Sequence, residues 1–183
     1  MNSCAGLTYS NIFPPIKNYI FPADIEVDAE FISQRDYSFA KVRLGRTGFA
    51  IMPLAYIDNG VYEWVSNSGE RIFTLNGKIV KTIGLPHNID IINPILTNIS
   101  FQDGHLSSNY LVKLSNPSAM IEQNSIFREF HGSDFNFIEV VTSNGFRWNY
   151  KNFYKVDPTG RLISTRQKIH PNLNLIEMNF YLK

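Results

Sequence analysis

The sequence predicts a single, nearly all-β domain, either an antiparallel β-sandwich or open, barrel-like sheets with at most one or two short helices. Short apolar-rich runs with a period of two follow one another from Tyr37 onward, and turn residues separate them. Charged residues make up only 18% of the chain, against a usual fraction of about 25%. Strand and helix patterns do not alternate along the sequence, which argues against a doubly wound fold.

Two hairpins are the most clearly predicted elements. Asn76-Gly77 lies between two apolar-rich runs, and both residues tolerate the positive φ that a two-residue hairpin turn needs. In Asp157-Pro158-Thr159-Gly160, aspartate can cap the turn, proline presets φ near −65°, and glycine accepts the unusual dihedral at its end. Each turn therefore predicts two antiparallel strands that pair with each other.

The remaining elements are predicted from the hydrophobic period of each segment and from the turn residues between segments. Residues 1–36 are expected to form an irregular arm or linker, with a turn or two of helix between 24 and 34, and residues 37–183 a single β-domain. Pro53 cannot donate a ladder hydrogen bond, so its strand is predicted to lie at an edge or to be bulged. Residues 116–123 could hold a short helix with Pro117 in its first turn. Strands are expected at 37–44, 49–56, 61–65, 71–75, 78–83, 89–92, 96–101, 108–114, 125–131, 135–142, 146–156, 161–169 and 173–182.

Composition excludes several partners. Seventeen basic and sixteen acidic residues leave a net charge of +1, and the basic residues are scattered along the sequence, so no nucleic-acid partner is predicted. No run reaches the ~20 apolar residues of a membrane helix. Arg43, Lys81 and Arg166 are interpreted as solvated strand faces.

No catalytic, cofactor-binding or metal-binding residues are predicted. The four histidines are widely separated and lie near turns or strand ends, which is typical of surface histidines, and Cys4 is far from all of them. Neither a Gly-x-Ser-x-Gly elbow nor a phosphate-binding glycine motif is present. Several carboxylates are available for acid–base chemistry, but the sequence does not pair them, so a glycosidase site stays an open alternative. These carboxylates are Asp58, Glu63, Asp103, Asp134 and Glu139.

Aromatic residues make up 14% of the chain and form two stripes on strand faces. Trp64 shares a face with Tyr62, and Trp148 shares a face with Phe146 and Tyr150. Such stripes are more often core than sugar platforms. If exposed, Trp64 and Trp148 would be contacts for a glycan or a protein partner, through stacking on saccharide rings.

Four segments, in their order and spacing, resemble the YjbF/GfcB family, the group 4 capsule polysaccharide lipoproteins. They are Tyr37 to Leu44, Tyr62 to Ser66, Asn76 to Asn88, and Val156 to Leu162 with Ser164 to Gln167. The resemblance covers residues 37–183 and is weakest between 96 and 145. The most specific pieces are the NGKIVKTIGL block and the final hairpin, and neither is a catalytic motif.

The resemblance implies an outer-membrane lipoprotein that faces the periplasm and is encoded with machinery for capsule or exopolysaccharide production. Its implied partners are the secretion proteins of the same gene cluster, polysaccharide, and the outer membrane through a lipid anchor. Ser3-Cys4-Ala5-Gly6 is similar to the remainder of a cleaved lipoprotein signal. On the tetrapeptide alone, an incidental cysteine is the simpler interpretation; with the resemblance, Cys4 is predicted to carry the lipid.

Two functional hypotheses remain. The first is a non-enzymatic accessory protein that docks with secretion partners or guides polymer across the periplasm. The second is a polysaccharide lyase or hydrolase, or a saccharide-binding module, on a β-scaffold. Buried tryptophans would argue against the binding module, and shortening of the polymer by the purified protein would establish the enzyme.

Overall fold

A computed structural model of the chain describes residues 26–94, 101, 105–145 and 147–183. Within these residues, one short helix precedes twelve antiparallel strands that close into a barrel. Each strand pairs with its neighbours in the chain, and β1 pairs with β12. None of the described helical residues forms a helix long and apolar enough to cross a membrane. The elements are α1 (Ala29–Ser33), β1 (Phe39–Leu44), β2 (Ala50–Asp58), β3 (Val61–Val65), β4 (Arg71–Leu75), β5 (Lys78–Ile83), β6 (Ile89–Ile92), β7 (His105–Leu114), β8 (Ala119–Glu129), β9 (Phe137–Ser143), β10 (Tyr150–Val156), β11 (Leu162–Gln167) and β12 (Ile176–Tyr181).

The all-β antiparallel fold and its two hairpins are confirmed. Asn76 and Gly77 have φ values of +47° and +79°, as a two-residue turn between β4 and β5 requires. Asp157 caps the β10–β11 turn, since its Oδ1 accepts hydrogen bonds from the backbone N–H groups of Thr159 and Arg161, both at 2.9 Å. These turns fix the local pairing of the strands on either side.

Two further predictions concern segments that contain a proline. Pro53 lies in β2, and the β2–β3 register shifts between Leu54 and Tyr56, which agrees with the predicted bulge. The short helix considered for 116–123 is wrong, because the segment forms a turn and then enters β8 at Ala119. Buried residues alternate with exposed or half-exposed ones along β8, so the segment follows the strand period.

The strand predicted at 96–101 and the irregular arm fall mainly outside the described residues. Of the first, only Phe101 is described. In the second, α1 confirms the short helix expected between 24 and 34, and its Phe31 ring packs edge-on against Phe39 of β1, with centroids 5.7 Å apart.

Side chains fill the interior of the barrel. A large apolar core includes Trp64 and Met178, both 0% exposed. A smaller aromatic cluster forms around Phe127, Phe137 and Tyr154. Because inward residues alternate with outward ones on every strand, each wall of the barrel presents a second set of side chains to solvent.

Candidate functional site

A polar network crosses the interior from the β4–β5 turn to the opposite wall. Gln167 of β11 accepts a hydrogen bond from the N–H of Ile79 at 2.9 Å and donates one to the carbonyl oxygen of Gly77 at 2.6 Å. Strands β5 and β11 are not neighbours in the sheet, so Gln167 joins them through the interior. This contact holds the start of β5 where Lys78 enters the barrel.

Lys78 forms a buried ion pair with Glu139 of β9. Their side chains are 4% and 0% exposed, and the Lys78 ammonium also donates to the Tyr110 hydroxyl at 2.8 Å. The other carboxylate oxygen of Glu139 accepts from Asn152 Nδ2 at 2.9 Å and from the Tyr154 hydroxyl at 3.0 Å. The pair is therefore hydrogen-bonded on both sides, which a buried charge requires.

The titration of this network follows from its burial and its donors. Burial alone would raise the pKa of Glu139, but the Lys78 charge and the hydrogen bonds from Lys78, Asn152 and Tyr154 together lower it. Burial, and then the charge of Glu139, raises the pKa of Tyr154 well above its usual value. At neutral pH the carboxylate is ionised, the phenol is neutral, and Glu139 is a structural group sealed from solvent.

On the outside of the barrel, β10, β11, β12 and β1 form a surface that we call the basic wall. One row of outward residues crosses it by strand register, from Arg43 to Glu177, Arg166 and Phe153. The three inter-strand steps of this row span about 14 Å. The outward positions of these four described strands hold five basic side chains and one carboxylate, Glu177: the basic residues are Lys41, Arg43, Lys151, Lys155 and Arg166.

Glu177 holds the two arginines of this row side by side. One carboxylate oxygen accepts from Arg43 Nε at 3.0 Å and also from its Nη2, and the other accepts from Arg166 Nε at 2.9 Å. The arginine side chains are 34% and 43% exposed. We call these three residues the arginine triad; it carries a net charge of +1 and is open to water.

Phenylalanine rings flank the triad on both sides. The Arg43 guanidinium lies 4.6 Å from the ring centroid of Phe49, and the Lys41 ammonium lies 4.3 Å from the same ring. On the other side, the Arg166 guanidinium lies 5.2 Å from the ring centroid of Phe135. Cation–π contacts of this kind restrain the direction in which each guanidinium points.

A groove of about 700 Å³ runs beside the triad and lies between two connections. Gly45, with φ of +61°, donates its N–H to the carbonyl oxygen of Leu175 at 2.7 Å, and a Cβ on Gly45 would overlap Asn174. The β1–β2 turn and the β11–β12 connection are thus held together at this groove. Its lining residues are Gly45, Arg46, Arg166, Asn174, Leu175 and Glu177.

The outward face of β2 to β6 differs in charge, and we call it the mixed wall. Its cations are paired with carboxylates: Arg71 with Glu63 at 3.1 Å, and Lys81 with Asp90 at 3.2 Å. A groove of about 370 Å³ on this wall is lined by Tyr56, Asp58, Asn59, Val61, Glu63, Phe73 and Pro94. Two carboxylates and an exposed tyrosine thus share one groove.

The two tryptophans predicted as contact residues differ in how deeply they are buried. Trp64 is 0% exposed, and its indole donates to Thr74 Oγ1 at 2.9 Å, so it is a core residue with no surface for a glycan. Trp148 is half-buried and stacks on Tyr150, with ring centroids 4.5 Å apart. Cys4, the predicted lipid site, lies outside the described residues.

The candidate carboxylates are also separated. Asp58 and Glu63 come together at the mixed wall, Glu139 is in the interior, and Asp134 is exposed in the β8–β9 connection. Asp103 lies outside the described residues. Within the described part of the chain, no group of three metal-ligating side chains is assembled.

The prediction of surface histidines is wrong for His170, whose side chain is 0% exposed. Its ring stacks on His87 at 4.8 Å, and its Nδ1 accepts the N–H of Asn172 at 3.1 Å. Burial and the neighbouring His87 lower the pKa of His170, so it is neutral at pH 7.

Comparison with known proteins places the chain among proteins linked to capsule production. The sequence profile of one family, described as group 4 capsule polysaccharide lipoprotein gfcB, YjbF, matches residues 11–181. Among solved structures, the chain is similar to the hypothetical lipoprotein YmcC from Escherichia coli K12, with 24% sequence identity and a TM-score of 0.69. That similarity covers 87% of this chain and 90% of YmcC and concerns the fold. No curated protein matches the sequence.

Proposed function

Because the chain belongs to the YjbF family of group 4 capsule polysaccharide lipoproteins, we propose that it is a non-enzymatic accessory lipoprotein in capsule or exopolysaccharide production. It is anchored to the outer membrane through Cys4 and faces the periplasm. It supports export of the polymer by contacts of its outer surface with polysaccharide or with secretion proteins of the same gene cluster.

The family match over residues 11–181 carries this proposal, since it includes all twelve strands of the described barrel. The packed interior supports a role for the outer surface. Glu139, the carboxylate of the polar network, is 0% exposed and accepts hydrogen bonds on both oxygens, so a polymer cannot reach it. The outer walls are the surfaces that a long polymer or a partner protein can contact.

Deletion of the gene in its host tests the proposal. We expect the amount of cell-surface polysaccharide to fall and to return when the wild-type gene is supplied. Variants Asp134→Asn and Glu63→Gln, each checked for folding by its thermal midpoint, are expected to restore the polymer as well as the wild type does. Unchanged surface polysaccharide in the deletion strain would contradict the accessory role.

The anchor is tested by membrane fractionation. A lipoprotein cysteine carries a diacyl group and an amide-linked acyl chain. Three chains together hold a protein stably at a membrane, whereas one chain alone is marginal. Replacement of Cys4 with serine removes the acylation site, so we expect Cys4→Ser to move the protein from the outer-membrane fraction to the soluble fraction. Equal membrane association of wild type and Cys4→Ser would show that Cys4 is not the anchor.

The groove on the mixed wall favours a second candidate function, action on or binding of a saccharide. Asp58 and Glu63 both line it, and Tyr56, at 64% exposed, offers a stacking face. A paired-carboxylate mechanism needs both groups, so Asp58→Asn or Glu63→Gln would each abolish it. A folded Asp58→Asn variant that fails to restore polysaccharide, together with shortening of the polymer by wild type, would replace the accessory role with this one.

A further inference from the structure

We infer that the basic wall is a binding site for an anionic saccharide chain, which the arginine triad and Arg46 hold through carboxylate or phosphate groups of the polymer. The inference rests on the proposed function, because it assigns that function's polysaccharide contact to one surface and to one chemical class of polymer.

The first support is a local excess of positive charge in a chain that is nearly neutral. The net charge of the whole sequence is +1, whereas the outward positions of β10, β11, β12 and β1 hold five basic residues against Glu177. On the mixed wall, the cations of Arg71 and Lys81 each have a carboxylate partner. A surface with uncompensated positive charge attracts a polyanion and raises its rate of association.

The second support is that the arginines are oriented and still have free donors. Arginine carries five N–H groups, and Arg166 gives only its Nε–H to Glu177. Its two terminal nitrogens contact no acceptor among the residues that the structure describes. Their fork geometry matches a carboxylate or phosphate of a ligand.

The third support is the shape of the surface beside the triad. The groove of about 700 Å³ is open to solvent along its length, so an extended chain can lie in it, and Arg46 and Arg166 both line it. The hydrogen bond from the Gly45 N–H to the carbonyl oxygen of Leu175 joins the β1–β2 turn to the β11–β12 connection, and the groove lies between them. Its walls are therefore in place without a ligand. Asn174 adds an amide that can exchange hydrogen bonds with sugar hydroxyls.

The ring contacts favour a saccharide over an anionic membrane surface. Phe49 and Phe135 lie against guanidinium or ammonium groups and are half-buried, so they do not project as apolar anchors into lipid. The two arginines of the row lie two strands apart, about 10 Å, on either side of Glu177, a spacing that suits an extended polymer that carries negative charge at intervals.

Binding to defined probes tests this inference on the purified full chain. We expect oligogalacturonate, which has a carboxylate on each sugar, to bind and to dissociate as salt is raised, and neutral dextran not to bind. Two competing anions are tested separately: vesicles that contain phosphatidylglycerol, and single-stranded DNA. No binding of oligogalacturonate, equal binding of dextran, or tighter binding of either competing anion would overturn the inference.

Variants of the triad make the test specific to the wall. Arg43→Gln and Arg166→Gln are each expected to weaken oligogalacturonate binding about five- to tenfold. Glu177→Gln removes the charge that competes with the ligand, so we expect it to bind about fivefold more tightly. Arg71→Gln on the mixed wall is the matched control and is expected to stay within about twofold of wild type. Unchanged binding by both Arg43→Gln and Arg166→Gln, or an equal loss in Arg71→Gln, would show that the triad does not bind the anion.

Complementation in the host separates this inference from the proposed function. If deletion lowers surface polysaccharide and a folded Arg43→Gln/Arg166→Gln variant restores it fully, the basic wall is not the polymer site and the accessory role stands. If deletion leaves the amount of surface polysaccharide unchanged, and the triad variants no longer bind oligogalacturonate, then the site exists and the accessory role is wrong. We expect the deletion phenotype and only partial restoration by the double variant.

Discussion

The interior ion pair and the arginine triad both join strands that are distant in sequence, but they differ in charge balance and in access to water. Lys78 and Glu139 neutralise each other, are almost fully buried, and have hydrogen-bond partners on both sides. The triad has two guanidinium groups for one carboxylate and is about one-third exposed. The interior pair cannot accept a ligand without unfolding, whereas the triad has unused N–H donors and a net positive charge.

This difference suggests that the same residue types do different work at the two places. A buried charge without its partner is strongly unfavourable, so the interior pair holds the β4–β5 hairpin against β9. Exposed ion pairs contribute little to stability, because water screens them. Substitutions in the interior should therefore change folding, and substitutions in the triad should change binding.

The largest effect is expected from Lys78→Met. It leaves the carboxylate of Glu139 buried without its counter-charge, and we expect a loss of about 3–5 kcal/mol in the free energy of unfolding. Denaturant titration measures this loss. The double variant Lys78→Met/Glu139→Gln, which removes both charges, should be more stable than Lys78→Met alone. A loss for Lys78→Met no larger than that for Arg71→Met, at an exposed pair, would contradict the comparison.

The pH dependence of Glu139→Gln is the next test. The folded pKa of Glu139 is lowered from an unperturbed value near 4.5, so its ionisation stabilises the fold above that pH and this contribution is lost as the pH falls through the folded pKa. Wild type should be about 3 kcal/mol more stable than Glu139→Gln at pH 7. The two should converge in acid, where protonated Glu139 resembles glutamine. A difference that stays constant from pH 7 to pH 3 would show that Glu139 has no lowered pKa.

A smaller loss is expected from Gly77→Ala, which affects the turn that brings Lys78 inward. Gly77 has φ of +79°, and an alanine Cβ there would overlap the Leu162 side chain of β11. We expect a loss of roughly 1–3 kcal/mol in unfolding free energy. Gly160→Ala is the matched control, since Gly160 has a similar φ of +82° but nothing lies within 4 Å of the position that an alanine Cβ would occupy. Equal losses at both positions would assign the effect to backbone conformation alone.

The sequence predicts what depends on local chemistry. The Asn76-Gly77 and Asp157–Gly160 turns were predictable because their residues favour the required dihedrals. The helix considered at 116–123 failed because Gln123, though polar, points into the core and hides the strand period. Local patterns cannot show which way such a residue faces.

The candidate site was not predictable in the same way. Arg43 and Glu177 are 134 residues apart, and Arg166 and Glu177 are 11 apart, so only the pairing of β1 with β12 and of β12 with β11 brings them together. In the sequence the basic residues are scattered, and Arg43 and Arg166 are consistent with ordinary solvated faces. The period of two does place them outward, but barrel closure determines that they share one wall.

The smallest expected effect on stability is that of Arg166→Gln. The Arg166 side chain is 43% exposed and shares Glu177 with Arg43, so its removal leaves the carboxylate paired. We expect the free energy of unfolding to change by less than about 1 kcal/mol, because exposed ion pairs are screened by water. A loss comparable to that of Lys78→Met would mean that the triad holds the barrel closed. The weaker binding of oligogalacturonate by Arg166→Gln would then reflect a disturbed fold, and the distinction between an architectural interior and a ligand-binding wall would fail.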